Sequence, residues 1–181
     1  MLILASASPR RHEILKAAGI AHVVRPANTP EIRRENEMPM EFVQRLAEEK
    51  ARAITREPGD IALGADTVVA VDGQVFGKPA DERDAVRMLR ALAGRDHYVY
   101  TGICLVSGKK CVNDVAGTRV SFLELEEQEI QEYTRSGEPK DKAGAYAIQG
   151  LASKFIAGIE GCYHNVVGLP VSLVHRHLRT F

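Results

Sequence analysis

Two adjacent arginines, a lysine on an apolar stripe and an aspartate inside an apolar run are the residues of this chain best placed to do chemistry. Arg10 and Arg11 close the opening stretch "LILASASPRR", where a short apolar strand gives way to a helix. A helix N-terminus after a strand gathers free N–H groups and the positive end of the helix dipole, a natural anion site. Ser8 adds a hydroxyl there, and the two guanidinium groups add planar donor forks suited to phosphate oxygens. Solvated surface arginines are the alternative. The stretch is no Walker loop, since neither GxxxxGKS nor GxxxxGKT occurs.

Lys50 lies four residues after Leu46 and four before Ile54, within the apolar stripe of its helix. A lysine so placed either snorkels outward or points into a cleft toward a negative partner. Asp66 follows "LGA" and precedes Thr67-Val68-Val69, so its carboxylate falls in a strongly apolar strand. An unpaired charge is costly to bury, and such an aspartate needs a cation, a metal or a lysine nearby. Gly64, two residues earlier, leaves room for something to approach the backbone. A second aspartate two residues on, the mark of a haloacid-dehalogenase phosphatase, is missing, since Val68 stands there. Lys78 sits in "FGKP", a turn that a hairpin would return toward Asp66. In "KDKAGAYAIQG" the small residues Ala143, Gly144, Ala145 and Ala147 allow a flat group to approach, while Tyr146 and Gln149 offer polar edges. A primary amide can pair with a nucleobase in two directions; a glycine-rich sheet edge is the alternative.

The elements that must hold these residues follow from periodicity and breakers. Leu2 to Ala5 and His22 to Arg25 read as short strands, separated by a helix with Ser8 as hydroxyl cap, Pro9 at its first position and Gly19 as its stop. Phe42, Val43, Leu46, Ala47, Ala51 and Ile54 predict a helix from about Met40 to Thr55. "DIALGADTVVAVDGQVFGKP" predicts a long strand, a turn at Asp72-Gly73 and a short return strand. Asp81 to Ala93 and Gln128 to Ser136 are helical in pattern. Two long β-branched strands join around Gly108, and a last helix runs from Pro170. The order is not a strict βαβ alternation, so a mixed sheet is expected.

Composition bounds the function. In 181 residues, 45% hydrophobic, Lys plus Arg equal Asp plus Glu at 24 each. That balance argues against a nucleic-acid coat, a polybasic membrane anchor or an acidic tail, while permitting a local basic pocket. No apolar run approaches the ~20 residues of a membrane span. No positive residue precedes the opening apolar run, and the run is too short for a signal peptide. The odd count of three cysteines, without CxxC, fits a reduced, cytoplasmic protein. The six histidines form neither HExxH nor a finger spacing, and neither GxSxG nor GxGxxG occurs. One domain of two lobes sharing a core is expected.

Taken in order, "SASPRR", "RLAEEKA", "GADTVV", "GKP", "DKAGAYAIQG" and "NVVGLP" resemble the Maf family of house-cleaning nucleoside triphosphate pyrophosphatases, from Leu2 to about Leu173. "AGAYAIQG" is similar to the branch acting on dTTP and UTP, although Ala147 stands where many of its members have glycine. Pro30 precedes Glu31 where the family often has adjacent acidic residues. The resemblance implies an elongated mixed α/β sheet flanked by helices, in the Maf and ITPase-like manner, with two lobes around a deep cleft. It also implies homodimers, and cleavage of the α–β phosphoanhydride with Mg²⁺ or Mn²⁺. It further implies that Ser8, Arg10, Arg11, Lys50 and Lys78 hold the triphosphate and that Asp66 is the base. Asp66 and Glu31 would hold the metal, with Thr67 and Gln149 selecting the nucleobase. Cationic neighbours would keep Asp66 ionised and only weakly basic. A 7-methyl-GTP pyrophosphatase of the same fold and a nucleotide-binding regulator of cell division are the competing functions.

Overall fold

The opening apolar run forms β1 (Leu2–Leu4), all three residues buried. The computed structural model describes residues 1–54 and 56–181. After β1 come α1 (Pro9–Ala17), β2 (Val23–Val24), α2 (Pro39–Arg52), β3 (Ile61–Val71), β4 (Gln74–Phe76) and α3 (Glu82–Leu92). Then follow β5 (Asp96–Ser107), β6 (Lys110–Phe122), α4 (Glu127–Arg135), β7 (Ile156–Glu160), α5 (Tyr163–Val167) and α6 (Val171–Leu178). The strands make one mixed sheet in the order β2-β1-β3-β5-β6-β7, with β4 paired to β3. β1 is parallel to both β2 and β3, whereas β3–β4 and β6–β7 are antiparallel. The mixed, helix-flanked sheet expected from the element order is therefore present.

Local chemistry accounts for most boundaries. Asp72 and Gly73 both take positive φ, 47° and 77°, the backbone of a two-residue hairpin, and Val71 pairs with Gln74 across it. Asp81 caps α3 by accepting the Asp84 N–H at 2.8 Å. At α1 the expected hydroxyl cap is absent: Ser8 occupies the N-cap with extended backbone, but its side chain makes no cap bond. The hydroxyl used there belongs to Ser6, whose Oγ accepts the Ser8 N–H at 3.2 Å. β2 is shorter than the pattern suggested, and α5 had no sequence signal. The "AYAIQG" segment is a series of turns between one-turn 3-10 helices at Ala143–Ala145 and Leu151–Phe155.

The chain divides into two compact units. The first comprises 1–66, 101–116 and 168–181; the second comprises 67–100 and 117–167. In the first, α2 packs on the sheet through two glycines. A Cβ on Gly64 would lie 2.0 Å from the Ala47 carbonyl oxygen, and one on Gly102 would lie 2.3 Å from that of Val43. Ile3, Ala5, Ala47, Ala51, Ala62, Cys104 and Val106 form the small-residue core around that contact. In the second unit, Leu89, Leu92, Phe76, Phe122, Phe155, Tyr133 and Tyr146 build a bulkier, aromatic core.

The glycine contact sets the distance between α2 and β3, and hence the reach of any side chain between them. Gly64→Ala should lower stability by about 3 kcal/mol or more, because the clash is with backbone that cannot rotate away. Urea unfolding checks this.

Candidate active site

Parallel pairing of β1 with β3 puts Leu4 beside Leu63, and the Ala5 N–H donates to the Leu63 carbonyl at 2.8 Å. The chain beyond β1 therefore turns into α1 alongside Ala65 and Asp66, where parallel α/β sheets commonly bind ligands. Arg11 stands here, but it is buried and faces inward. Its Nε donates to the Gly168 carbonyl at 2.9 Å; its Nη1 donates to Ser6 Oγ at 3.0 Å and to the Ala65 carbonyl at 2.8 Å. Arg11 thus fastens the start of α1, the middle of β3 and the "VVGLP" turn to one another. Burial lowers its affinity for its proton, while the nearby carboxylates of Asp66 and Glu31 oppose that.

Lys50 does not snorkel. Its side chain is buried, and Nζ lies 2.6 Å from Asp66 Oδ1 and 2.6 Å from Glu31 Oε1. Its place on the inner face of α2 follows from the stripe of Phe42, Val43, Leu46, Ala47 and Ala51, all buried with it. Glu31 is half-exposed and reaches in from the loop before α2. That loop is tied down by Arg45, which donates to both carboxylate oxygens of Glu37, at 2.6 and 2.8 Å, and to the Ile32 carbonyl at 3.0 Å. The bond from Arg45 lowers the Glu37 carboxyl to about 2, so the clasp stays ionised across the physiological range.

Asp66 departs from the electrostatic expectation. Its pKa is raised, not lowered: burial outweighs the attraction of Lys50 and Arg11, and Glu31 adds repulsion. The apolar strand that makes Asp66 conspicuous in sequence also strips away its water, and the cations return only part of the lost solvation. The aspartate is consequently a stronger base than the sequence suggested.

The remaining predicted residues are distributed as follows. Ser8 and Arg10, partly exposed, begin α1; Arg10 adds repulsion to the Arg11 charge. Thr67, also partly exposed, follows Asp66 in β3 and opens the second unit. Lys78 and Gln149 are exposed and belong to that unit. Their two segments are joined there, since the Gly144 N–H donates to the Gly77 carbonyl at 3.0 Å. Gly144 is required at this approach: its φ is +69°, and a Cβ would sit 2.7 Å from a Val69 methyl. The Tyr146 hydroxyl meets His97 Nε2 at 2.8 Å. Burial lowers His97 to about 4, so that contact involves a neutral imidazole at pH 7.

Sequence reading missed Ser6 and Gly168 as partners of Arg11. Both lie in motifs singled out on other grounds, but nothing in a sequence separates the buried hydroxyl of Ser6 from that of Ser8. Among the described residues no cluster of three or more histidine, cysteine, aspartate or glutamate side chains could cage a metal by itself. None of the helices is long and apolar enough to cross a membrane, again among the described residues.

A profile of the family described as "Maf-like protein" matches residues 1–181. The chain belongs to the Maf family. A dTTP/UTP pyrophosphatase from Koribacter versatilis is 50% identical over 179 residues, covering 98% of this chain and 93% of that protein. One from Symbiobacterium thermophilum is 50% identical over 181 residues, covering 99% and 93%. A third, from Thermococcus gammatolerans, is 49% identical over 175 residues, covering 96% and 93%. In this Maf chain the buried Asp66 carboxyl titrates above its ordinary range, and its titration is therefore coupled to stability.

Because Asp66 has a raised pKa in the folded protein, the folded state holds a proton that the unfolded state releases above the ordinary carboxylate value of about 3.9. Stability from this group therefore falls as pH rises from that value through the folded one. Lys50 limits the rise, so Lys50→Met should widen the window. That variant should lose more stability than the native chain between about pH 4.5 and about pH 8, and adding Asp66→Asn should remove the extra slope. Urea midpoints at the two pH values measure it.

Proposed function

We propose that this Maf protein hydrolyses the α–β phosphoanhydride of dTTP and UTP, releasing the nucleoside monophosphate and pyrophosphate. The observation that carries the reading is Lys50 Nζ held at 2.6 Å between Asp66 and Glu31, a charged cluster in an otherwise apolar layer. A cluster of this kind is a weak device for stability and a strong one for chemistry. Near-full-length identity of about half to proteins named dTTP/UTP pyrophosphatases supports the substrate assignment.

In this reading a water attacks phosphorus as its proton passes to Asp66. The new P–O bond forms while the bridging oxygen departs with its electron pair on pyrophosphate. Burial makes Asp66 a stronger base than an ordinary aspartate, while the Lys50 ammonium at 2.6 Å favours its ionised form. Lys50, Lys78 and Arg10 offset the negative charge of the triphosphate and of the leaving group, with Ser8 adding a hydroxyl. Arg11 acts mainly by fixing the loops that present these groups, while its charge also reaches Asp66 and Glu31.

The donor set fits Mg²⁺ or Mn²⁺. Asp66 and Glu31 supply hard carboxylate oxygens gathered on one ammonium, and a magnesium ion is commonly held by one or two carboxylates together with substrate phosphates. When bound, the metal would neutralise phosphate charge and make water more acidic. Gln149 reads the base by donating its N–H to O4 and accepting from N3–H of uracil or thymine, and Thr67 contributes to that selection. A cleft that receives the nucleotide, cytoplasmic residence and a homodimer belong to the same proposal, and sedimentation tests the last.

A panel of dTTP, UTP, CTP, dATP and 7-methyl-GTP, assayed for pyrophosphate with Mg²⁺ or Mn²⁺, tests the function. Release is expected from dTTP and UTP, and a profile led by 7-methyl-GTP or empty throughout would overturn it. Asp66→Asn should cut turnover about 100-fold or more while nucleotide still binds. Full activity in that variant would remove the base from the account.

A further inference from the structure

The segment that carries Gln149 is gripped on both sides by two residues that the chemistry above does not use. Tyr133, near the end of α4, is buried, and its hydroxyl accepts the Ala147 N–H at 3.2 Å while donating to Glu138 Oε1 at 2.8 Å. The other carboxylate oxygen, Glu138 Oε2, accepts the Leu151 N–H at 3.0 Å. Ala147 and Leu151 flank Gln149 two residues to either side. One tyrosine and one glutamate therefore hold both shoulders of the turn through its backbone, and leave the exposed amide of Gln149 outside the network.

Local sequence explains how Glu138 comes to be there. Two residues past the end of α4, Gly137 takes φ +79° and reverses the chain. Ser136 Oγ then receives the Glu138 N–H at 3.2 Å, turning the glutamate back over the helix end toward Tyr133. Gly150 completes the fit, because a Cβ there would lie 2.2 Å from Glu138 Oε2. Any side chain at Gly150 would push the carboxylate off Leu151. Tyr133 is wedged edge-on against Phe155, with ring centroids 5.4 Å apart, so its hydroxyl cannot swing to follow a shifted loop.

We propose that Tyr133 and Glu138 are positioning residues for base selection. They fix the backbone on either side of Gln149 so that its amide meets uracil or thymine in one orientation and is mismatched to cytosine. The inference rests on Gln149 reading the base. An amide discriminates uracil from cytosine only if it cannot turn over, because a 180° rotation exchanges its donor for its acceptor. Holding the main chain at two points fixes where the Gln149 side chain starts and the direction from which its amide meets the base edge, and leaves all of the amide's own hydrogen bonds for that edge.

The test is the ratio of kcat/KM for UTP to that for CTP, measured with the full-length protein. Tyr133→Phe keeps the ring and removes the hydroxyl, and the ratio should fall about tenfold, the scale of one well-placed hydrogen bond. The loss should appear in CTP gaining relative to UTP, with kcat for UTP less affected than its KM. Glu138→Ala should act in the same direction. Glu138→Asp shortens the side chain and should recover part of the ratio only if the carboxylate is what matters. A general structural role would lower both substrates alike and leave the ratio unmoved, which would overturn the proposal. Gln149→Ala separates the two claims. If that variant keeps the native nucleotide profile, the base-reading assignment fails, and the positioning role with it. If it flattens the profile while Tyr133→Phe and Glu138→Ala do not, the positioning claim alone fails. Adding Tyr133→Phe to Gln149→Ala should change the ratio no further, since the amide to be positioned is already gone.

Discussion

A carboxylate has been drawn into an apolar layer, and one ammonium group is there to meet it. The contact of Lys50 with Asp66, at 2.6 Å and with both side chains buried, is the constraint to which the first unit is built. Neither charge would be tolerated there alone. Their attraction does not fully restore what water gave the aspartate, which is why its pKa stays high. The small residues of α2 and the glycines of the sheet let the helix come close enough for a lysine to span the gap. Arg11 ties the surrounding turns together through main-chain carbonyls, so the acid faces a frame that cannot easily relax around it. A pair like this adds little to net stability and is destructive when halved. Its place in an apolar setting suits the proposed role of Asp66 as a base made stronger by burial.

The second unit solves a different problem by different means. There Gln149 is exposed, and nearby lie buried tyrosine hydroxyls, a neutral imidazole and one partly buried carboxylate bound to main-chain N–H and tyrosine. Such bonds specify geometry without placing strong fields at the site. Under the proposed reaction, charge in the first unit would meet a polyanion, and a fixed hydrogen-bonding edge in the second would tell one flat ring from another. The division between the units falls between Asp66 and Thr67, so adjacent residues of one strand belong to the two units.

Much of this was legible in the residues themselves. The mixed sheet, the hairpin at Asp72-Gly73, the stripe of α2 and the odd position of Asp66 all follow from periodicity and the cost of burying charge. Lys50 was visible as a lysine where an apolar residue belongs, but snorkelling could be dismissed only once Asp66 and Glu31 were seen beside it. The direction of the Asp66 shift was not legible, because it depends on how completely the strand excludes water, a property of tertiary packing. The roles of Ser6, Tyr133 and Glu138 were hidden for a related reason. Tyr133 and Glu138 bond backbone N–H groups far along the chain, which carry no residue type for a sequence to reveal, and only the fold shows that Ser6 rather than Ser8 receives the Arg11 guanidinium.

Titration of the Asp66 carboxyl carbon by ¹³C nuclear magnetic resonance, in the native chain and in Lys50→Met, bears most directly on the central pair. The account predicts a midpoint above the ordinary aspartate range in the native protein and a further upward move when the ammonium is removed. An ordinary midpoint, unmoved by loss of Lys50, would contradict it.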